Sequence, residues 1–191
     1  MGPAAWTEMQ LAVGGALRLA CGDRRGMGSF DTSINGFWRS FRAGMICYPL
    51  YLVLIGFRVS AADWSQYGAP SILVVETISY VISWTLFPLL ILPIARWFNH
   101  ENRFLAFMVV YNWAQIPQTV LAALLGLDIS SGLLGGSSAQ FAMLAALIAT
   151  FVYEWYIARV ALAVTSAQAA VVVMVDLLLS EVLNRIADAL Y

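Results

Sequence analysis

The chain has 191 residues, 61% of them apolar and 11% charged, with a formal net charge of −1. A soluble domain carries about a quarter charged residues, so a water-soluble globule of this size is excluded, and there is no basic surplus for a nucleic-acid partner. Charge-free stretches over 77–95, 104–127, 129–153 and 160–175 instead mark an all-α polytopic membrane protein, since crossing a ~30 Å hydrocarbon core takes about 20 apolar residues.

Residues 1–42 read as a cytoplasmic, amphipathic N-terminal segment and 43–191 as a five-span transmembrane domain. The first 20 residues open without positive charge and hold Glu8 and Arg18 inside an apolar pattern, so they do not read as a cleavable signal peptide. Trp6, Met9, Val13, Leu17 and Ala20 recur at helical spacing, with Thr7 and Gln10 spaced as a capping box. This predicts a short amphipathic helix lying on the membrane or on the bundle. A turn-rich break over 22–28 follows, and a second helix begins near Asp31, Thr32 or Ser33, all good cap residues. Its apolar stripe is Ile34, Phe37, Trp38 and Phe41. Trp38, Arg39 and Arg42 suit the headgroup region before the first span, as do Arg96, Trp97 and Arg103 in a later connector.

The spans are expected at 43–60, 71–95, 104–126, 139–164 and 168–187. Pro49, Pro88, Pro93 and Pro117 should kink or locally unwind the first three. Residues 160–175 are too few to cross alone, and Thr165-Ser166-Ala167-Gln168 offers a turn, so this region reads as two helices; merging it into one interrupted helix would leave four spans. All ten basic residues are Arg. Eight fall on the side of the N-terminus, leaving only Arg58 and Arg185 opposite. The positive-inside rule puts the N-terminus in the cytoplasm and the C-terminus outside.

Charges inside hydrocarbon cost about 3 kcal/mol each on insertion scales and need a partner or a function. Glu76, Glu154, Arg159, Asp176 and Glu181 are the candidates. Counted from the turn at Ser166 at ~1.5 Å per residue, Arg159 lies ~10 Å deep, Asp176 ~15 Å and Glu154 ~18 Å. Arg159 is expected to pair with Asp176 across the last hairpin, as a register pin; a proton or ion relay through Glu154 and Asp176 is the sharper reading. Asn112, Gln115 and Thr119 share one face of the third span, Glu76, Ser79 and Ser83 one face of the second, and Asp176, Ser180 and Asn184 one face of the fifth. Glu76, Asn112, Gln115, Glu154, Arg159 and Asp176 therefore form an expected intramembrane polar network. Ser138, Ala142, Ala146 and Thr150 make a small-residue face for close packing, and Glu181 with Arg185 a solvated i, i+4 pair. No catalytic constellation and no metal site is expected, because His100 is the one histidine and Cys21 and Cys47 are the two cysteines. No cofactor is expected either.

Phe37-Trp38-Arg39-Ser40-Phe41 entering the first span, Arg103-Phe104-Leu105-Ala106 leading to Tyr111-Asn112 and Pro117, and Trp155-Tyr156 with residues 158–162, Ser166 and Ala169-Ala170 resemble the YIP (Ypt-interacting protein) family, in particular its bacterial members. The resemblance runs from about Phe37 to Ser180. It implies five spans, a cytoplasmic N-terminus and a non-enzymatic membrane-organising role. The acidic-Leu-Tyr-Gly-Pro motif of the eukaryotic members is absent, so no GTPase-binding role is carried over. The function expected first is a scaffold, assembly factor or accessory subunit in the bacterial inner membrane, with lipid and a protein partner or a second copy of the chain as its contacts. The alternative is a small channel or carrier for protons, ions or a small solute.

Overall fold

The structure is a computed structural model that describes residues 3–133 and 135–191, with side chains from Trp6 onward. The described residues form α1 (Pro3–Ala20), a 3₁₀ turn (Arg24–Ser29), α2 (Ile34–Ser40), α3 (Arg42–Arg58), α4 (Ala61–Trp97), α5 (Phe104–Ser130), α6 (Gly136–Ala161) and α7 (Ser166–Asp188), with no strand among them.

α1 lies on the bundle, against the 3₁₀ turn, α5 and α6. Thr7 falls within the helix rather than at its start. The buried face is Ala12, Gly15, Ala16 and Leu19, while Trp6 and Leu17 of the expected stripe are exposed. The reason is steric. A Cβ on Gly15 would stand 2.7 Å from Ser29 Cβ, and one on Gly26 would stand 2.5 Å from the Gly15 carbonyl, so only small residues fit the docking face and the larger apolar side chains turn outward. Tyr153 and Tyr156 of α6 donate to the Ala16 and Gly22 carbonyls at 2.7 Å each, which pins α1 and the turn after it to α6.

Ser33 caps α2, its hydroxyl accepting from the Gly36 N–H at 3.1 Å. Phe41 separates α2 from α3, and the two together form one 25-residue apolar stretch. α4 starts earlier than the expected second span. Residues 61–68 form a short helical piece capped by Ser60, and the backbone breaks at Gly68 (φ 76°, ψ 152°), a conformation that glycine tolerates and side-chain-bearing residues avoid. Pro70 then opens the spanning helix, where its missing N–H costs no bond. Pro49, Pro88, Pro93 and Pro117 lie within helices that remain helical through them; the unwinding expected at these prolines is absent. α6 and α7 are two helices, as the turn residues imply. Thr165 and Gln168 close a reciprocal capping box at the start of α7.

Four helical stretches among the described residues are long and apolar enough to cross a membrane: Ile34–Arg58, Ala61–Trp97, Gly136–Ala161 and Ser166–Asp188. With the composition, they mark an integral membrane protein. α5 has the length, at 27 residues, but Asn112, Gln115, Gln118 and Thr119 dilute its apolar character. The outward faces are oily: Val74, Ile78 and Leu89 of α4 and Phe141, Leu144 and Val152 of α6 are all exposed.

The helices alternate in direction, and packing sets their order as a ring. α3 packs on α5, α5 on α6, α6 on α7, α7 on α4, and α4 closes back on α3. One end of this ring, the base, carries α1, α2 and the α4–α5 and α6–α7 turns. There Phe107, Met108 and Val110 of α5 pack with Ile91 and Ala95 of α4 and Ile157, Ala158 and Ala161 of α6 in one core of nearly inaccessible side chains. The opposite end, the rim, holds a smaller cluster of Ile55, Val59 and Ile72.

Candidate functional site

Above the packed base, the five ring helices enclose a cavity of about 350 Å³, within the range of small-molecule sites. Every helix of the ring contributes to its wall. On α5 the lining runs from Tyr111 to Ala122, 7 to 18 residues from the start of the helix, or ~10 to ~27 Å from the base. The floor is closed: Phe87, Asn112 and Glu154 are buried. The exposed lining residues, Ala122 and Ser180, lie toward the rim, so the mouth opens there.

The floor is built around Tyr111. Its ring stacks on Phe87 with centroids 4.3 Å apart, and its hydroxyl interacts with the Asp176 carboxyl of α7. Asp176 interacts in turn with Glu154 of α6. Two acidic side chains from neighbouring helices thus meet inside the bundle, and among the described residues no ion pair reaches either. No Arg or His occurs in the lining. Asn112 donates from Nδ2 to Ser40 Oγ at 2.8 Å and so fixes α5 to α2 at the chamber floor. Gln118, in contrast, lines the cavity with its amide nitrogen buried and unpartnered.

The other wall is aromatic. Tyr51 of α3 and Tyr80 of α4 stand 4.6 Å apart, and Trp84 lies 6.0 Å from Tyr80. Tyr80 donates to the Gly44 carbonyl at 2.7 Å, which holds its ring in place. The ring order sets Tyr51 of α3 across the chamber from α6 and α7, while Tyr80 of α4 stands on the helix beside α7.

A second polar cluster sits at the rim. Arg58 pairs with Glu76 and, at 2.9 Å, with Asp188. Tyr51 donates to Glu76 Oε2 at 2.7 Å, and Tyr191 donates to Glu76 Oε1 at 2.7 Å while contacting Asp188 Oδ1 at 2.9 Å. Glu76 is 0% exposed, so the guanidinium and two phenols satisfy a carboxylate that has no water. This cluster ties together the ends of α3, α4 and α7 beside a smaller cavity of about 290 Å³ lined by Arg58, Ser60, Asp63 and Tyr191. Burial, with hydrogen bonds to Glu76 and Asp188, pushes the Tyr191 hydroxyl well above the ordinary phenol range.

The expected polar network is therefore divided. Asn112, Gln115, Glu154 and Asp176 meet at the chamber; Glu76 belongs to the rim cluster, and Arg159 to neither. The expected Arg159–Asp176 pair does not form. Arg159 Nη1 donates to the Val164 carbonyl at 2.9 Å, and its guanidinium lies 5.8 Å from the centre of the Trp155 ring. Arg159 sits within a turn of the end of α6, so its long side chain reaches the open carbonyls of the α6–α7 turn without carrying charge inward. Of the Asp176, Ser180 and Asn184 stripe, the first two line the chamber and Asn184 is exposed on the outside. Glu181 and Arg185 pair at 2.5 Å. Among the expected headgroup anchors, Trp38 and Trp97 are 67% and 76% exposed. Arg39 bridges Glu8 and Asp31, Arg96 pairs with Glu101, Arg42 is half-buried and Arg103 is exposed. Tyr51 and Tyr80 carry no signal in the sequence, and Tyr111 enters only through the resemblance, because a tyrosine in an apolar span carries no charge to flag it. Arg58 could have been found as the one cation close in depth to Glu76. No cluster of three or more His, Cys, Asp or Glu side chains able to hold a metal occurs among the described residues. Compared with known proteins, the chain matches no family model, no curated protein and no solved structure.

Proposed function

We propose that this chain is a non-enzymatic, five-span integral membrane protein that carries a small solute or ion through its intramembrane chamber. The observation that bears most weight is the pair of interacting acids, Glu154 and Asp176, on the wall of a cavity that five helices line and no basic residue neutralises. Intramembrane acids are costly and mark transport paths. The fifth span in this reading is α5, because it stands side by side with the four oilier helices around the same cavity and its polar residues turn inward. Eight of the ten arginines stand at the base, which supports a cytoplasmic base and an outer mouth, and a bacterial inner membrane suits this reading. The likeness to the YIP family points to the same five-span, N-terminus-inside arrangement.

Two measurements test the reading. In a Cys21→Ser, Cys47→Ala background, a charged maleimide applied from outside should label Ser180→Cys and Arg185→Cys but not Arg103→Cys. Labelling of Arg103→Cys and Arg185→Cys from one side overturns the topology. In proteoliposomes, proton or cation flux should be present and should fall at least tenfold in Asp176→Asn. The tightly packed base favours a second reading, an assembly factor whose bundle is a rigid platform for a partner or a second copy. Absent flux together with stoichiometric copurification of one membrane partner would decide for it.

A further inference from the structure

The chamber also states what it is built to hold. Its acidic wall lacks a counter-charge among the described residues: Glu154 is 9% exposed, and its polar partner is another acid, Asp176. A buried negative group of this kind is balanced by a proton or by a cation from outside. The aromatic part of the lining decides between them. Tyr51 and Tyr80 line the chamber with their ring centroids 4.6 Å apart, with Trp84 beyond and the stacked Phe87–Tyr111 pair at the floor. A proton needs no such surface, and a hydrated inorganic ion gains little from one. An alkylated ammonium gains from both, because aromatic faces attract cations while the alkyl groups bury apolar area. Independently, the Gln118 amide nitrogen is buried without an acceptor at the same wall, a donor left for an oxygen on an occupant. The 350 Å³ volume admits a molecule of about ten heavy atoms or somewhat more on the scale of small-ligand pockets.

We propose that the chamber binds a small organic cation bearing a hydrogen-bond acceptor, its ammonium set between the Asp176–Glu154 pair and the Tyr51–Tyr80 wall, and its oxygen on Gln118. The proposal rests on the chamber reading above, and it is tested so that the two can fail separately. The probes are choline and its uncharged isostere 3,3-dimethylbutan-1-ol, applied to the full chain in detergent, with the rate of maleimide labelling at Ser180→Cys as the readout. Choline should slow labelling saturably and the neutral alcohol should not. Asp176→Asn should raise the half-saturating choline concentration at least tenfold, Tyr80→Leu several-fold, and Gln118→Leu should reduce the preference for choline over tetramethylammonium. Equal protection by the alcohol and choline, or protection by neither while Ser180→Cys still labels, overturns the organic-cation assignment and leaves the chamber standing. Protection by simple acidification or by sodium alone, with none from choline, assigns the site to a proton or an inorganic ion and equally overturns it. Failure of the maleimide to reach Ser180→Cys at all overturns the chamber itself. Should Asp176→Asn fail to fold, Glu154→Gln carries the same expectation on the other member of the pair.

Discussion

At the base of the bundle, Phe107, Met108, Val110, Ile91 and Ala158 are at most 1% exposed, and the polar residue among them, Asn112, has its donor on Ser40. Toward the rim the same five helices separate around a cavity, and acids, amides and phenols replace the aliphatic side chains. Lipid gives helices no hydrophobic reason to associate, so close packing and satisfied polar groups must hold them together. The base has both. The rim half instead relies on one ionic knot, Arg58 with Glu76 and Asp188, to keep three helix ends together. The contrast teaches that close packing and the polar cavity are divided along the bundle axis: the part that holds the fold is not the part that encloses the chamber.

The sharpest way to break this comparison is to empty the base. Phe107→Ala should cost about 3–5 kcal/mol, as large-to-small core substitutions do, read as a large fall in melting temperature in detergent; a loss no greater than that of Leu54→Ala at the cavity wall would erase the distinction. Next comes the knot. Arg58→Met leaves a fully buried Glu76 with two phenol donors, and should cost about 2–3 kcal/mol, less than the 3–5 typical of a broken buried pair because the arginine is partly exposed. The two acidic clusters should then respond with opposite sign. Asp176→Asn removes an uncompensated charge and should stabilise the chain by about 1 kcal/mol while abolishing flux, the trade expected at a functional site; Glu76→Gln should destabilise it. At the exposed end of the knot, Asp188→Ala should cost under about 1 kcal/mol.

The smallest effect lies outside the spans, at Asp31. Hydrogen bonds from Ser33 and the nearby Arg39 hold its carboxyl below its ordinary value of 3.8. A carboxyl depressed on folding lends stability that is complete above about pH 4 and is lost as pH falls through the lowered value. Asp31→Asn should therefore lower the melting temperature slightly near neutrality and flatten its fall on the acid side, so that the two curves meet below the lowered value.

The membrane class, the break between α6 and α7 and the Ser33 start of α2 were legible, because charge-free length and cap chemistry are local properties. What went astray was rotational and relational. In α1 the stripe of large apolar residues attracted attention, while Gly15 and Ala16 made the contact, since close approach favours the residues with least side chain. Arg159 and Asp176 lie at comparable depth, but depth does not fix azimuth: Glu154 is the α6 residue that faces Asp176, and Arg159 had an open carbonyl within reach at Val164. Glu76 shares a face with Ser79 and Ser83 and so reads as part of one intramembrane polar network, yet its partner stands across the α3–α4 turn. Arg58 and Glu76 are 18 residues apart, and the separate 61–68 piece hides how close in depth they are.

The placement of α5 bears on how such a chain is made. It touches more neighbours than any other helix of the ring and is also the segment least able to leave an insertion channel for lipid unaided, given its amides. Biogenesis should therefore hold it back until α6 and α7 emerge and offer their inward faces; in a nascent chain cut after Ser130, that segment should be open to added protease, whereas α3 and α4 stay protected.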